Sequence, residues 1–264
     1  MCCMRTVQAL RVVGDHAADQ WGMVTTAQAV AAGVDRTTLV RLVDAGLLES
    51  PARGVYVVPA ASPTHVDERA AWLRLEPSRA AWQRRPLDDD GGVLSHRSAA
   101  KIHGLGDLIT DGVHITVPRR RTTRDPHVRL RRGTLTDDEV TVIDGLPVTT
   151  VERTVLDLLA DHVDGGHIGD VIADALRRNA VDLAMLSAQA GTYAAKYGIR
   201  GRNGRALLTS LLSQASEGDN HRRNEMATLL SGLDHRQQQI LLELAATAST
   251  ALHARRQPET GHQD

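Results

Sequence analysis

Phenylalanine is absent from this chain, and aromatic residues together make up 2% of its 264 positions. Its interior must therefore be built from Leu, Val, Ile and Ala. Lysine occurs only at Lys101 and Lys196, so nearly all of the 31 basic residues are arginine. With its abundant alanine, that bias has the look of GC-rich coding, so an arginine is not by itself the mark of a site. Cysteine is confined to the adjacent Cys2 and Cys3. That pair excludes a structural disulfide framework and a CxxC metal knuckle, and it fits a reduced cytoplasm. No apolar run reaches membrane-spanning length, and the first residues lack the apolar stretch of a signal peptide. An excess of one charge is missing too. The formal net charge is −1, so no global field draws the chain to nucleic acid or to a membrane.

What is present is concentrated in residues 22–58, GMVTTAQAVAAGVDRTTLVRLVDAGLLESPARGVYVV. Thr25 is a good N-cap, and Gln28 stands three residues on, where a capping box places Glu or Gln. The short Ala-rich helix that follows is expected to stop at Gly33. Val34 can anchor the turn, and Asp35 can cap the next helix, which should run to about Ala45. Leu39, Leu42 and Val43 fall on one face of it. Thr37, Thr38 and Arg41 are expected on the other, with Arg36 at its edge. Leu47–Glu49 and Val55–Val58 flank a Pro/Gly turn and read as a hairpin wing. The whole reads as a winged helix-turn-helix, which places a short helix in the DNA major groove. On this reading Arg41 meets guanine, Thr37 and Thr38 reach phosphate or a thymine methyl, and Arg53 at the wing turn meets backbone or minor groove. The competing reading is a winged helix used only for protein contact. In its favour, five arginines in the first 58 residues are balanced by five carboxylates, whereas DNA-binding domains are usually basic.

The rest of the chain reads as a mixed α/β segment with a helical end. Val7–Ala18 is a plausible first helix, packing Val7, Leu10 and Val13 on the next two. Pro59–Pro63 reads as a linker. A helix is expected from Val66 to about Arg84, a second capped by Ser95 and running to His103, and strands over Val113–Val117 and Val128–Arg131. Val140–Ile143 and Leu146–Val148 read as strands joined by a turn at Asp144-Gly145. Thr149 with Glu152 suggests a capping box that opens a helix from Thr150 to Leu159. Helices are expected at about 167–178, 182–196, 203–215 and 221–253. These elements give an α/β (α+β) fold. It divides into a winged helix over 1–60, an α/β domain over 64–200, a helical extension over 201–253 and a disordered tail over 254–264.

The order of the segments resembles the AbiEi antitoxin family of type IV toxin–antitoxin systems. The resemblance rests on GVDRTTLVRLVDAGLL and RGVYVV, followed by VLSHRSAAKIHGLGDL, VHITVP and DGLPVTTVERTVLDLLA. Together they cover about residues 20–162. It implies a winged helix that binds operator DNA, an inverted repeat, and represses its own operon. It also implies a second domain that helps neutralise a nucleotidyltransferase-like toxin. Many relatives of this shape look like solitary regulators without a toxin.

Other signals were weighed against chemistry. Arg119, Arg120, Arg121, Arg124, Arg129, Arg131 and Arg132 face only Asp125, a local excess of six positive charges. The run suits contact with DNA phosphate or an acidic toxin surface, or else a solvated hairpin. His96, His103 and His114 have no Cys or carboxylate at ligand spacing in sequence, so packing or capping is expected and no metal. Asp88–Asp90 lies in a Gly-flanked loop without the Gly-Ser turn of a polymerase-type transferase. Neither lysine has an acidic residue two positions before it, and phosphate-binding loops and Gly-x-Ser-x-Gly elbows are missing. The expectation is a non-enzyme with no cofactor and no small-molecule substrate.

Overall fold

Side chains that cap helices set the first turns of the chain, whose residues 6–215 are described by a computed structural model. Helix α1 spans Thr6–Ala17 and buries Ala9, Val13 and Ala17. Val7, expected to pack, is instead exposed. Strand β1 (Met23–Thr25) leads into α2 (Thr26–Ala31). Thr25 Oγ1 accepts the Gln28 amide at 3.2 Å, and Gln28 Oε1 accepts the Thr25 amide at 2.9 Å, closing the expected capping box. Helix α3 (Arg36–Asp44) is capped by Asp35, as its sequence requires. Strands β2 (Glu49–Ala52) and β3 (Val55–Val57) form the wing, and β1 joins them in a sheet of order β1-β3-β2. This is a winged helix-turn-helix with its own core of Val24, Ala29, Val34, Leu39, Leu42 and Leu48.

A 3₁₀ turn at Pro59–Ala61 leads to α4, which spans Val66–Leu75. The helix stops about nine residues short of its expected end at Arg84. Glu76 precedes Pro77, whose ring disfavours a helical conformation in the residue before it, and Glu76 sits at φ −143°, ψ 74°. After a 3₁₀ turn at Ala81–Gln83 come β4 (Val93–Leu94), α5 (His96–His103), β5 (Val113–Val117) and β6 (Val128–Arg132). Then follow β7 (Val140–Ile143), β8 (Leu146–Thr149) and α6 (Val151–Ala160). Helices α7 (Gly165–Arg177) and α8 (Leu183–Ala190) come next, then a 3₁₀ stretch over Gly191–Tyr197. A helix over 204–215, here α9, is the last described element. The helix expected over 221–253, the tail over 254–264, and Cys2 and Cys3 lie outside the described residues.

The second sheet has the order β6-β5-β4-β8-β7, with β4–β8 and β5–β6 parallel and the other pairs antiparallel. The turn between β7 and β8 is the expected one. Asp144 and Gly145 both have positive φ, 48° and 79°, which matches the twist of a two-residue hairpin. The arginine-rich strand departs from expectation. It runs parallel to β5, with Val113 opposite Val128 and Val117 opposite Arg132, so the basic segment is no hairpin but an edge strand with its crossover. Two caps also moved. Ser95 makes no capping bond and holds Thr116 and His96 instead. Helix α6 is capped by Thr150, while the Thr149 hydroxyl bonds Thr154 at 2.8 Å.

The change of architecture at Pro59–Pro63 is not a change of core. Met23, Val55 and Val57 pack in one cluster with Ala70, Trp72, Leu73, Ile115 and Val148. Polar stitches run alongside: Gln28 Nε2 donates to Arg79 O at 3.0 Å, and the Ala81 amide donates to Gln20 Oε1 at 2.8 Å. The Trp21 indole donates to Asp144 O at 2.7 Å and stands edge-on to Trp72, ring centroids 6.0 Å apart. A third cluster joins α6, α7, α8 and α9 through Val155, Leu159, Ile168, Leu186 and Leu211.

Candidate nucleic-acid interface

A helix can offer side chains to a groove only on the stripe that packing leaves open. On α3 the buried positions are Thr38, Leu39 and Leu42. Spacings of three and four therefore put Arg36, Thr37, Val40, Arg41 and Asp44 on the exposed stripe. Thr38 does not belong there. It is 5% exposed, its amide donates to Asp35 Oδ1 at 2.8 Å, and its hydroxyl donates to Asp35 Oδ2 at 3.0 Å. The Thr38 amide beside Asp35 also holds that carboxyl below the usual carboxylate range, so the cap stays ionised at the N-terminus of α3. Thr38 thus shapes the start of α3 rather than facing outward. The sequence carried that signal, since Thr38 lies one helical turn before Leu42.

Val40 takes the vacated place. It is 53% exposed at the centre of the stripe, with Val30 of α2 46% exposed nearby in sequence order. An exposed branched aliphatic side chain among arginines suits a thymine methyl as well as a protein surface. The wing turn, Arg53-Gly54, is tied to the first residue of α2, for Gly54 O accepts the Thr26 amide at 2.9 Å. Gly54 adopts φ +78°, and a Cβ there would lie 3.3 Å from Thr26 Oγ1. Arg53 and Arg36 line one open groove together with Val30 of α2 and Arg74 of α4. Arg36, Arg41 and Arg53 make no side-chain hydrogen bond or ion pair among the described residues, and all three are exposed. Among the described residues of the winged helix, Arg11 is the arginine that is paired, with Asp15 at 3.9 Å.

The arginine run is used differently. Arg119 pairs with Asp90, and Arg129 with Asp111 at 2.5 Å. Arg131 pairs with Asp161 at 2.6 Å. Arg121 donates to the carbonyls of Asp90 and Leu75, each at 2.5 Å. Asp125 is held by Arg74. Only Arg120, Arg124 and Arg132 of the run lack such partners among the described residues, and all three are exposed.

Beneath the run lies a buried polar nest that the sequence did not announce. His96, with φ +54°, has Asp157 Oδ2 at 3.7 Å from Nδ1 and Asp161 Oδ2 at 3.8 Å from Nε2. Burial, helped by the positive charge of Arg131, pushes the imidazole down to about 3, so it is neutral despite its two carboxylate neighbours. Burial likewise raises Asp157, while Arg153 Nε donates to it at 2.8 Å. His114 Nε2 meets Asp111 Oδ1 at 3.0 Å, and His103 Nε2 meets Thr149 O at 2.8 Å. The fold supplied the carboxylates that were missing at ligand spacing in the sequence, but each histidine is engaged in packing. Among the described residues no group of three His, Cys, Asp or Glu could hold a metal ion.

Residues 13–59 match the protein family described as "Transcriptional regulator, AbiEi antitoxin". The match spans α1 from Val13, the capped α2 and α3, and the wing. That segment is similar to the winged helix of the AbiEi antitoxin regulators. The AbiEi match thus falls on the element whose exposed stripe carries the unpaired arginines, and the family it names is one of regulators rather than of enzymes. No curated protein matches the chain. Among solved structures, the RV2827C protein from Mycobacterium tuberculosis is similar at 19% identity and a TM-score of 0.46, over 76% of this chain and 80% of that one. Among the described residues no helix is long and apolar enough to cross a membrane.

Proposed function

We propose that the protein is a cytoplasmic DNA-binding antitoxin that represses its own operon. Helix α3 reads the operator, an inverted repeat, in the major groove. Arg41 and Arg36 approach base edges or phosphate, Thr37 reaches phosphate, Val40 meets a thymine methyl, and Arg53 follows the backbone from the wing. One observation carries the reading. In a domain of zero formal charge, the arginines without ion-pair partners among the described residues are those on the exposed stripe of α3 and the wing turn. Thr38 supports the reader indirectly, through the Asp35 cap. The α/β body, with Arg120, Arg124 and Arg132 exposed on the basic segment, is the surface proposed to meet an acidic face of a nucleotidyltransferase-like toxin.

The test is a mobility-shift titration of the full chain on its own promoter. Arg41→Ala should weaken binding by about 1–3 kcal/mol, roughly 5- to 150-fold, if Arg41 contacts a base bidentately. Unchanged affinity in Arg41→Ala and Arg36→Ala would remove α3 as the reader. A second reading, a docking module without DNA, draws on the exposure of Val30 and Val40 on the same surface. It requires Val40→Asp to abolish a protein complex while promoter binding is absent in the wild type. A solitary regulator is the outcome if promoter binding holds and co-expression fails to rescue cells from the neighbouring gene product.

A further inference from the structure

Behind the wing lies a cleft of about 400 Å³ that DNA contact by α3 does not use. One wall is the wing strand itself, through Pro51 and Ala52. The starts of β5 and β6 line the cleft through Val113 and Val128, and α4 adds Ala71. The remaining wall is polar and acidic. Asp67 and Glu68 are consecutive on the first turn of α4, and Asp125 also lines the cleft. Against these three carboxylates stand Arg74 and Lys101, which gives the lining a formal charge of −1 with histidine neutral.

Glu68 is the unusual member. It is 2% exposed, a burial that a carboxylate tolerates only when fully partnered. Lys101 Nζ donates to Oε1 at 2.7 Å, yet Oε2 has no hydrogen-bond partner among the described residues. Arg74, the other cation, is already committed to Asp125. A buried oxygen of this kind costs free energy until a donor reaches it. Asp67 beside it is exposed and makes no ion pair among the described residues.

We infer that the cleft is a binding site for a small organic monocation, an alkylamine or alkylguanidinium of a few carbons. The cationic head pairs with the Asp67 and Glu68 carboxylates, and the aliphatic stem lies on Ala71, Val113 and Val128. The volume is in the range of small-ligand pockets. An anion is disfavoured by the net charge of the lining, and a neutral ligand leaves that charge unanswered. Because Pro51 and Ala52 belong to the wing, an occupant bears on the DNA-facing hairpin from behind.

The site is tested by backbone amide NMR of the uniformly labelled full chain, titrated with n-butylammonium, n-butylguanidinium and neutral n-butanol. The expected result is saturable shifts at Glu68, Ala71, Lys101 and Val113 with the two cations and none with the alcohol. Glu68→Gln should weaken the cations about tenfold with the rest of the spectrum unchanged. Asp67→Asn, at an exposed position, should weaken them severalfold and keeps the test decisive if Glu68→Gln does not fold. Equal shifts with the alcohol, no saturable shifts at these residues, or a folded Glu68→Gln or Asp67→Asn that binds like the wild type would overturn the inference. The titration needs no DNA. Arg41→Ala should leave it unchanged, so loss of the operator reading and loss of this site are separate results.

Discussion

Two sets of arginines differ in how the fold spends them. In the winged helix, five positive charges meet five negative ones, and the sequence looks neutral. In the segment from Arg119 to Arg132, seven arginines meet one aspartate, and the sequence looks like an anion-binding strip. The structure inverts the impression. Arg36, Arg41 and Arg53 stand exposed with no ion pair, whereas Arg119, Arg121, Arg129 and Arg131 are bound to Asp90, Leu75 O, Asp111 and Asp161. Linear charge density measures how many cations a segment carries. Availability depends on carboxylates that arrive from far away in sequence, and Asp161 is 30 residues from Arg131.

If the run serves the fold, stability should register it most strongly through pH. His96 lies under Arg131, and its folded value is depressed from 6.5 to about 3. Below pH 6.5 the unfolded chain therefore takes up a proton that the folded chain refuses. Stability should fall as pH drops from 6.5 toward 3, by about 1.4 kcal/mol per pH unit for each such proton. His65, His103 and His114 are also depressed by burial and act in the same direction. Asp157, raised by burial, opposes them at the acid end, because its protonated form is the favoured one when folded. Denaturant unfolding at several pH values should show His96→Asn flattening the slope by about one proton, Asn being a side chain that tolerates positive φ. An unchanged slope would show that His96 is not held neutral.

A smaller effect separates the two arginine sets directly. Arg131→Ala removes the pair with Asp161 and should cost about 1 kcal/mol in denaturant unfolding, the size of a part-exposed ion pair. Arg41→Ala should leave stability within about 0.5 kcal/mol, as expected of a surface residue with no partner. Reversal of that order would break the contrast. In operator binding the roles exchange. Arg36→Ala and Arg53→Ala should each lower the salt slope by about one if they meet phosphate, while Arg129→Ala leaves it alone. A change at Arg129 equal to that at Arg36 would return the run to the DNA interface.

The least disruptive experiment concerns the junction. We propose that Pro59–Pro63 divides the reader from the body in function. The half-exposed 3₁₀ turn there should be an early site of limited proteolysis. The two pieces should nevertheless elute together in gel filtration, because Met23, Val55 and Val57 share a cluster with Ala70 and Leu73. Separation of the pieces would show two independent cores.

Local chemistry made much of this legible in advance. The Thr25–Gln28 box, the Asp35 cap and the Asp144-Gly145 turn each depend on residues within a few positions, so the sequence displays them whole. The stop of α4 was also written there, in Pro77, although the helix was expected to run to about Arg84. Properties decided at long range were hidden. The parallel pairing of β5 with β6 depends on a crossover. The nest around His96 joins residues from α5, α6 and β6. No periodicity within a single segment carries that information.

The Trp21 indole acts as a mechanical key. It is hydrogen-bonded to Asp144 O, lies against Gly145, where a Cβ would sit 3.2 Å from the ring, and carries the Arg69 guanidinium 4.9 Å over its face. The residue two positions before β1 is thus keyed into the hairpin at the opposite edge of the large sheet. Such a key removes the swivel that a linker normally gives a DNA-reading head. The winged helix and the body then turn as one rotor, and, with α3 in a groove as proposed, the groove fixes the angle that the body presents to solvent.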